Sequence, residues 1–212
     1  MKNKLLSKYQ FPGPDGQTQL ITPKKANWKY VSFEAKELQK NQTTLIKSNS
    51  NEVCIVVISG ICNVRNKKIN LTQIGDRMSP FERKKPWAVY INKNDFIELK
   101  ALSSLEIAIC KAPGGGNYEP RIISPNQINS EKRGKGQNKR IVNNILPETK
   151  PANSLLVVEC YTDQGNTSSY PSHKHDTDDF PNETYLEETY YHRFQPKQGF
   201  AFQRVYTEDG SL

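Results

Sequence analysis

The sequence predicts an all-β protein made of two β modules in tandem, and three observations carry that reading. Short β-branched runs recur at short intervals from residue 52 onward, and clusters of Gly, Asn and Pro punctuate them. Residues 28–33 also alternate large with small or polar side chains, as a half-buried strand does. This is the rhythm of a sandwich or barrel.

Taken in order, residues 1–26 read as an N-terminal extension, polar and turn-rich around Pro12, Gly13, Pro14, Asp15 and Gly16. The first module, 27–112, opens with the strand at 28–33 and continues at 53–59, 61–65, 88–91, 95–99 and 105–110. Gly60, Asn66 and the trio Asn92, Lys93 and Asn94 supply turns between them. Residues 113–137 read as a linker and basic loop. Gly114, Gly115 and Gly116 follow a strand but lead into no helix pattern, so they do not form a phosphate cradle. The second module, 138–212, carries strands at 140–145, 155–159, 189–194 and 200–206. It runs out of strands before a barrel or sandwich could close, so an incomplete module is expected.

Composition narrows the function classes. The chain has 212 residues, 35% hydrophobic and 25% charged, with a formal charge of +8. Mean hydropathy is low at -0.75, yet ten Tyr, eight Phe and two Trp supply the apolar bodies that a core requires. The positive excess is spread along the chain as 22 Lys against 8 Arg, which argues against nucleic acid as a partner. Residues 130–140 gather five basic residues and two glycines without an aromatic, a pattern that suits a solvated loop. The longest apolar runs, 53–58 and 155–158, fall far short of the roughly 18 residues of a membrane helix, so no membrane span is expected. The start, MKNKLL, lacks the apolar run of a signal peptide, and a cytoplasmic location is the expectation. Cys54, Cys62, Cys110 and Cys160 show no C-x-x-C pairing and read as free thiols.

All three histidines, His173, His175 and His192, fall within twenty residues near the C-terminal end. His173 and His175 form an H-x-H, which on extended backbone aims both imidazoles at one side. In the following extended segment Glu188, Tyr190, His192 and Phe194 share a face, so Glu188 rather than Glu187 is the carboxylate placed to join them. Two imidazoles and a carboxylate make a metal site with positions left open for substrate oxygens. The plainer reading is a solvated polar loop with nothing bound.

The segments SSYPSHKHDTDD (168–179), LEETYYHRF (186–194), QGFAFQRVYT (198–207), RGKG (133–136) and NILPET (144–149) resemble the 5-deoxy-glucuronate isomerase family of myo-inositol catabolism. The likeness runs in register from about residue 52 to the end. It implies a bicupin, two double-stranded β-helix modules, with a divalent metal, Zn or Mn first, in the second cupin only. It implies conversion of 5-deoxy-D-glucuronate to 5-dehydro-2-deoxy-D-gluconate, a small sugar-acid substrate, and a homo-oligomer. His173, His175 and Glu188 would hold the metal. Thirteen positions separate His175 from Glu188, more than the common cupin spacing, so a loop at 176–185 must be inserted. The family adds a further histidine on a later strand and continues past the point where this chain stops, so a truncated form, weak in metal binding and turnover, is expected.

Aldose–ketose isomerisation moves a proton between adjacent carbons, and Tyr190, Tyr191, Glu187 and His192 are the candidates to carry it. Arg204 is the first choice for the substrate carboxylate, with Lys174 and Arg193 behind it. Two rivals stand beside the isomerase: a cupin that binds sugar without turnover, and a metal-dependent cupin oxygenase.

Overall fold

The computed structural model describes residues 5–170 and 173–207. The readings that rest on residues 1–4 and 208–212, the charged start and the end of the second module, lie outside the described residues. No helix among the described residues is long and apolar enough to cross a membrane.

Among the described residues twelve strands carry the fold, all paired antiparallel. They are β1 (Gln17–Ile21), β2 (Ser32–Leu38), β3 (Thr43–Lys47), β4 (Asn51–Arg65), β5 (Asn70–Arg77), β6 (Ala88–Ile91), β7 (Phe96–Ala101), β8 (Leu105–Pro113), β9 (Arg121–Ile123), β10 (Asn129–Arg133), β11 (Arg140–Leu146) and β12 (Val157–Thr162). One sheet runs β1-β2-β8-β4-β6-β9. A second is built on the other half of β4, which pairs with β5 and with β7, and β7 in turn pairs with β3. A separate three-stranded sheet runs β10-β11-β12.

β4 therefore belongs to two sheets and must bend between them. The bend lies at Gly60, with φ of +97°, and a Cβ there would sit 2.2 Å from the carbonyl oxygen of Ser104. Only glycine fits such a position. Gly60→Ala is expected to destabilise the fold by about 2 kcal/mol or more, read from the denaturant midpoint. An unchanged midpoint would show that the bend tolerates a side chain.

The unbroken apolar run in β4 follows from burial on both faces. Val53, Ile55 and Val57 point into the core between the two sheets, among Ile97, Leu99, Ile107 and Ile109. Cys54 and Val56 point the other way, into a second core shared with Ile145, Leu146 and Leu155 of the three-stranded unit. The first core is aliphatic apart from Cys62 and offers no metal-ligand set among the described residues.

Buried polar clamps join the two halves. Glu52, fully buried on β4, accepts hydrogen bonds from Tyr90 Oη at 2.6 Å and from the backbone N–H groups of Asn153, Ser154 and Leu155 at 2.8, 2.6 and 2.7 Å. Arg77 on β5, 1% exposed, donates twice to Glu159 on β12, at 2.6 and 3.0 Å, and also to the carbonyls of Ile58 and Lys84. The traffic also runs backwards. Glu187 accepts the backbone N–H groups of Lys29, Tyr30 and Val31 at 2.8, 2.9 and 2.9 Å.

Several elements differ from the sequence expectation. The segment read as an extension supplies β1, which pairs with β2. The first strand of the module begins at Ser32 rather than residue 28, because α1 (Pro23–Ala26) and the Glu187 contact occupy the residues before it. The linker contributes β9 to the edge of the first sheet, and half of the basic loop is the strand β10. Most consequentially, the strands expected at 189–194 and 200–206 are absent: these segments are described, but neither joins a ladder.

Candidate metal centre

Beyond β12 the chain is positioned by side chains and local turns. The Thr167 N–H donates to the Gln137 carbonyl, and Asn138 Nδ2 donates to the Ser169 carbonyl, so residues 167–169 are laid along the β10–β11 turn. The loop 176–185 then closes on itself through an isolated bridge between Asp179 and Glu183 and a bond from the Tyr185 N–H to Asp178 Oδ1. At its base the Leu186 N–H donates to the His175 carbonyl at 3.0 Å. The long spacing between His175 and Glu188 is thereby absorbed, and the two meet.

His173 Nε2 and His175 Nε2 each lie 3.7 Å from Glu188 Oε1. The three donor groups fall within 4.8 Å of one another. His175 Nδ1 is 2.9 Å from the Thr184 carbonyl, a contact that places the ring proton on Nδ1 and leaves Nε2 as a lone-pair donor aimed at the cluster. Tyr190 Oη donates to Glu188 Oε2 at 2.8 Å, so one carboxylate oxygen is held while the other faces the imidazoles. Partial burial, together with this bond to a carboxylate, raises the Tyr190 hydroxyl pKa. Glu188 Oε1 lies close enough to each imidazole to share an ion with it, and small side-chain rotations would bring the remaining pair, up to 4.8 Å apart, within the span of bonds of about 2.0–2.2 Å; imidazole with carboxylate suits Zn or Mn.

The segment carrying Glu188 makes no ladder but keeps the two-residue alternation of extended backbone. On one face Tyr190, His192 and Phe194 stack ring on ring, with centroids 6.1 and 6.2 Å apart. His192 Nε2 lies 3.3 Å from Gln203 Oε1 and is outside the three-residue cluster. On the other face Glu187 holds the three amides of residues 29–31, which keeps its carboxyl below the ordinary range despite partial burial. Tyr191 Oη donates to Glu106 Oε1 at 2.7 Å and its ring packs 5.4 Å from that of Phe33. Arg193 Nη2 pairs with Glu106 Oε2 at 3.2 Å.

Of the four residues expected to serve proton transfer, Tyr190 and His192 therefore lie on the cluster's face, whereas Glu187 is committed to the amides of residues 29–31 and Tyr191 to Glu106 of β8. Among the basic residues expected near the substrate, Lys174 is engaged by Asp176 and Glu183, and Arg193 by Glu106. Arg204 lies over the Tyr206 ring, 4.9 Å from its centroid, and makes no ion pair among the described residues. Sequence reasoning missed Glu106, Gln203 and the Thr184 carbonyl. Only Glu106 left a signal, a lone carboxylate in the apolar run of β8, where it is 6% exposed.

The KduI/IolB family model matches residues 5–212. The chain belongs to the KduI/IolB family. Among curated relatives, the 5-deoxy-glucuronate isomerase of Geobacillus kaustophilus HTA426 is 46% identical over 210 residues, 99% of this chain and 76% of the relative. That of Bacillus subtilis 168 is 44% identical over 193 residues, 91% of this chain and 71% of the relative. The solved structure of an IolB-like protein from Salmonella typhimurium LT2 superposes with a TM-score of 0.92 at 46% identity, covering 98% of this chain and 78% of that one. For this KduI/IolB member, the likeness extends over all three sheets and the histidine-bearing segment together.

Proposed function

We propose that this KduI/IolB protein is a metal-dependent aldose–ketose isomerase that converts 5-deoxy-D-glucuronate to 5-dehydro-2-deoxy-D-gluconate. The observation that carries the proposal is the convergence of His173, His175 and Glu188 in a chain whose relatives bear the name 5-deoxy-glucuronate isomerase. We read 27–112 as a structural cupin with an aliphatic interior and 138–212 as the metal-bearing one. When bound, a Zn or Mn ion would supply Lewis-acid polarisation of a carbonyl oxygen.

The chain's own residues supply the rest. Tyr190 and His192 flank the cluster on its open face and are the groups proposed to hold or move the proton between adjacent carbons, with Gln203 orienting the His192 ring. Arg204 is the guanidinium proposed for the substrate carboxylate, because Lys174 and Arg193 already have acidic partners.

The test is loss of the aldehyde proton signal when the purified, Mn-loaded protein meets 5-deoxy-D-glucuronate without oxygen, with a chelator-treated sample alongside. Consumption that requires oxygen would assign an oxygenase, and binding without consumption a sugar-binding protein. Arg204→Lys is expected to raise KM severalfold with little change in kcat, since a point charge cannot reproduce a bidentate fork. A wild-type KM would move the carboxylate to another residue.

A further inference from the structure

An extended segment without a ladder has nothing in its backbone to fix its rotation about its own axis, and a quarter turn of residues 187–193 would swing Glu188 out of reach of both imidazoles. What fixes it is the face opposite the site, at its start through Glu187 on the amides of residues 29–31 and, beyond Glu188, through a second anchor. Tyr191 and Arg193, two positions apart and so on one side of the chain, converge on a single carboxylate, that of Glu106, at 2.7 and 3.2 Å. Glu106 is nearly buried and stands on β8 at the centre of the first sheet, in register with Glu37 of β2 and Ser59 of β4. Its backbone is thus locked by ladders on both sides, and it belongs to the module that has no histidine.

We propose that Glu106 is a positioning residue for the metal centre: by gripping Tyr191 and Arg193 it sets the rotation of the ligand segment and so the direction in which Glu188 presents its carboxylate. The first module then determines how tightly the second holds its ion. This rests on the reading that His173, His175 and Glu188 bind a divalent metal. A group that orients a ligand from outside the ligand set is worth about 10- to 100-fold in metal affinity.

The experiment is Mn2+ titration of the whole 212-residue protein, followed by the spectrum of free Mn2+. Wild type and Glu188→Gln establish the site. Glu106→Gln is then compared with Arg193→Met, Tyr191→Phe and the double variants. Because Arg193 is partly exposed and Tyr191→Phe keeps the ring, these variants keep the inference open to test even if Glu106→Gln folds poorly. The expected result is a Kd raised about 10- to 100-fold in Glu106→Gln and several-fold in each partner variant. The double variants should lose less than the product of the singles, because all act through one grip. The thermal midpoint of each metal-free variant, read alongside, separates this from general loosening of the fold, in which loss of affinity would track loss of stability. Unchanged Mn2+ affinity in Glu106→Gln, or fully multiplicative losses, overturns the positioning role while leaving the metal site intact. Wild-type affinity in Glu188→Gln instead overturns the metal-site reading, and this inference with it.

Discussion

Glu188→Gln is expected to lower Mn2+ or Zn2+ affinity by at least about two orders of magnitude and to remove isomerase turnover, whereas Glu187→Gln should still bind one equivalent of metal. The two carboxylates are neighbours in sequence and opposites in role. Glu188 Oε1 stands 3.7 Å from both imidazoles, and an amide in its place offers a neutral, weaker donor. Glu187 is turned to the other face, where it accepts three backbone N–H groups from residues 29–31. Its replacement by Gln weakens that cradle, so some loss of thermal stability and at most about a tenfold loss of metal affinity are expected. Metal stoichiometry by elemental analysis of the two variants decides the matter. Similar losses in both would show that the alternation of faces is wrong.

Glu52→Ala is expected to destabilise the protein by about 3–5 kcal/mol, a large share of the typical stability of a domain. The substitution removes a fully buried carboxylate and leaves the N–H groups of Asn153, Ser154 and Leu155 and the Tyr90 hydroxyl without their acceptor. Burial by itself would raise the Glu52 pKa, but the hydrogen bonds from Tyr90, Asn153 and Ser154 outweigh it and hold the carboxyl below its ordinary value of 4.5. A carboxyl lower in the folded state contributes stability that is fully present above the unfolded pKa and is lost as pH falls through the folded one. The difference in Tm between wild type and Glu52→Ala should therefore be constant above about pH 5 and shrink below 4.5. Glu187 is lowered in the same sense, while Glu106, raised by burial, works in the opposite direction, which is why the difference between variants is the informative quantity. A gap that stays constant down to pH 3 would mean the Glu52 charge contributes nothing.

How legible the molecule is from sequence depends on what holds each part. The strands at 88–91 and 105–110 were readable because β-branched runs bounded by turn residues are what a doubly buried strand requires. β1 and β9 were not readable: each is a short edge strand of mixed polarity whose pairing is decided by the sheet beside it. The segments 189–194 and 200–206 misled for the converse reason. Their alternation is real and does sort Glu188, Tyr190 and His192 from Glu187, Tyr191 and Arg193, but alternation reports an extended backbone and not a partner strand. Hence the cluster of His173, His175 and Glu188 could be named from spacing and facing, while the contacts that separate Tyr190 from Tyr191, Arg193 and Glu187 could not. That division depends on Glu106 and on the amides of residues 29–31, 85 to 158 positions away in the chain and invisible to any local pattern.

The reciprocal clamps also set an order of assembly. Glu52 closes on residues 101 to 103 positions downstream, and the amides of residues 29–31 wait for a carboxylate 156 to 158 positions ahead of them. Contacts of such separation raise the mean loop that folding must close, a topology that slows folding. On a ribosome delivering the N-terminal end first, the sheet around β4 can condense early, but the stretch leading into β2 stays provisional until Glu187 emerges. A stretch made early, residues 29–31, is thus among the last to be fastened.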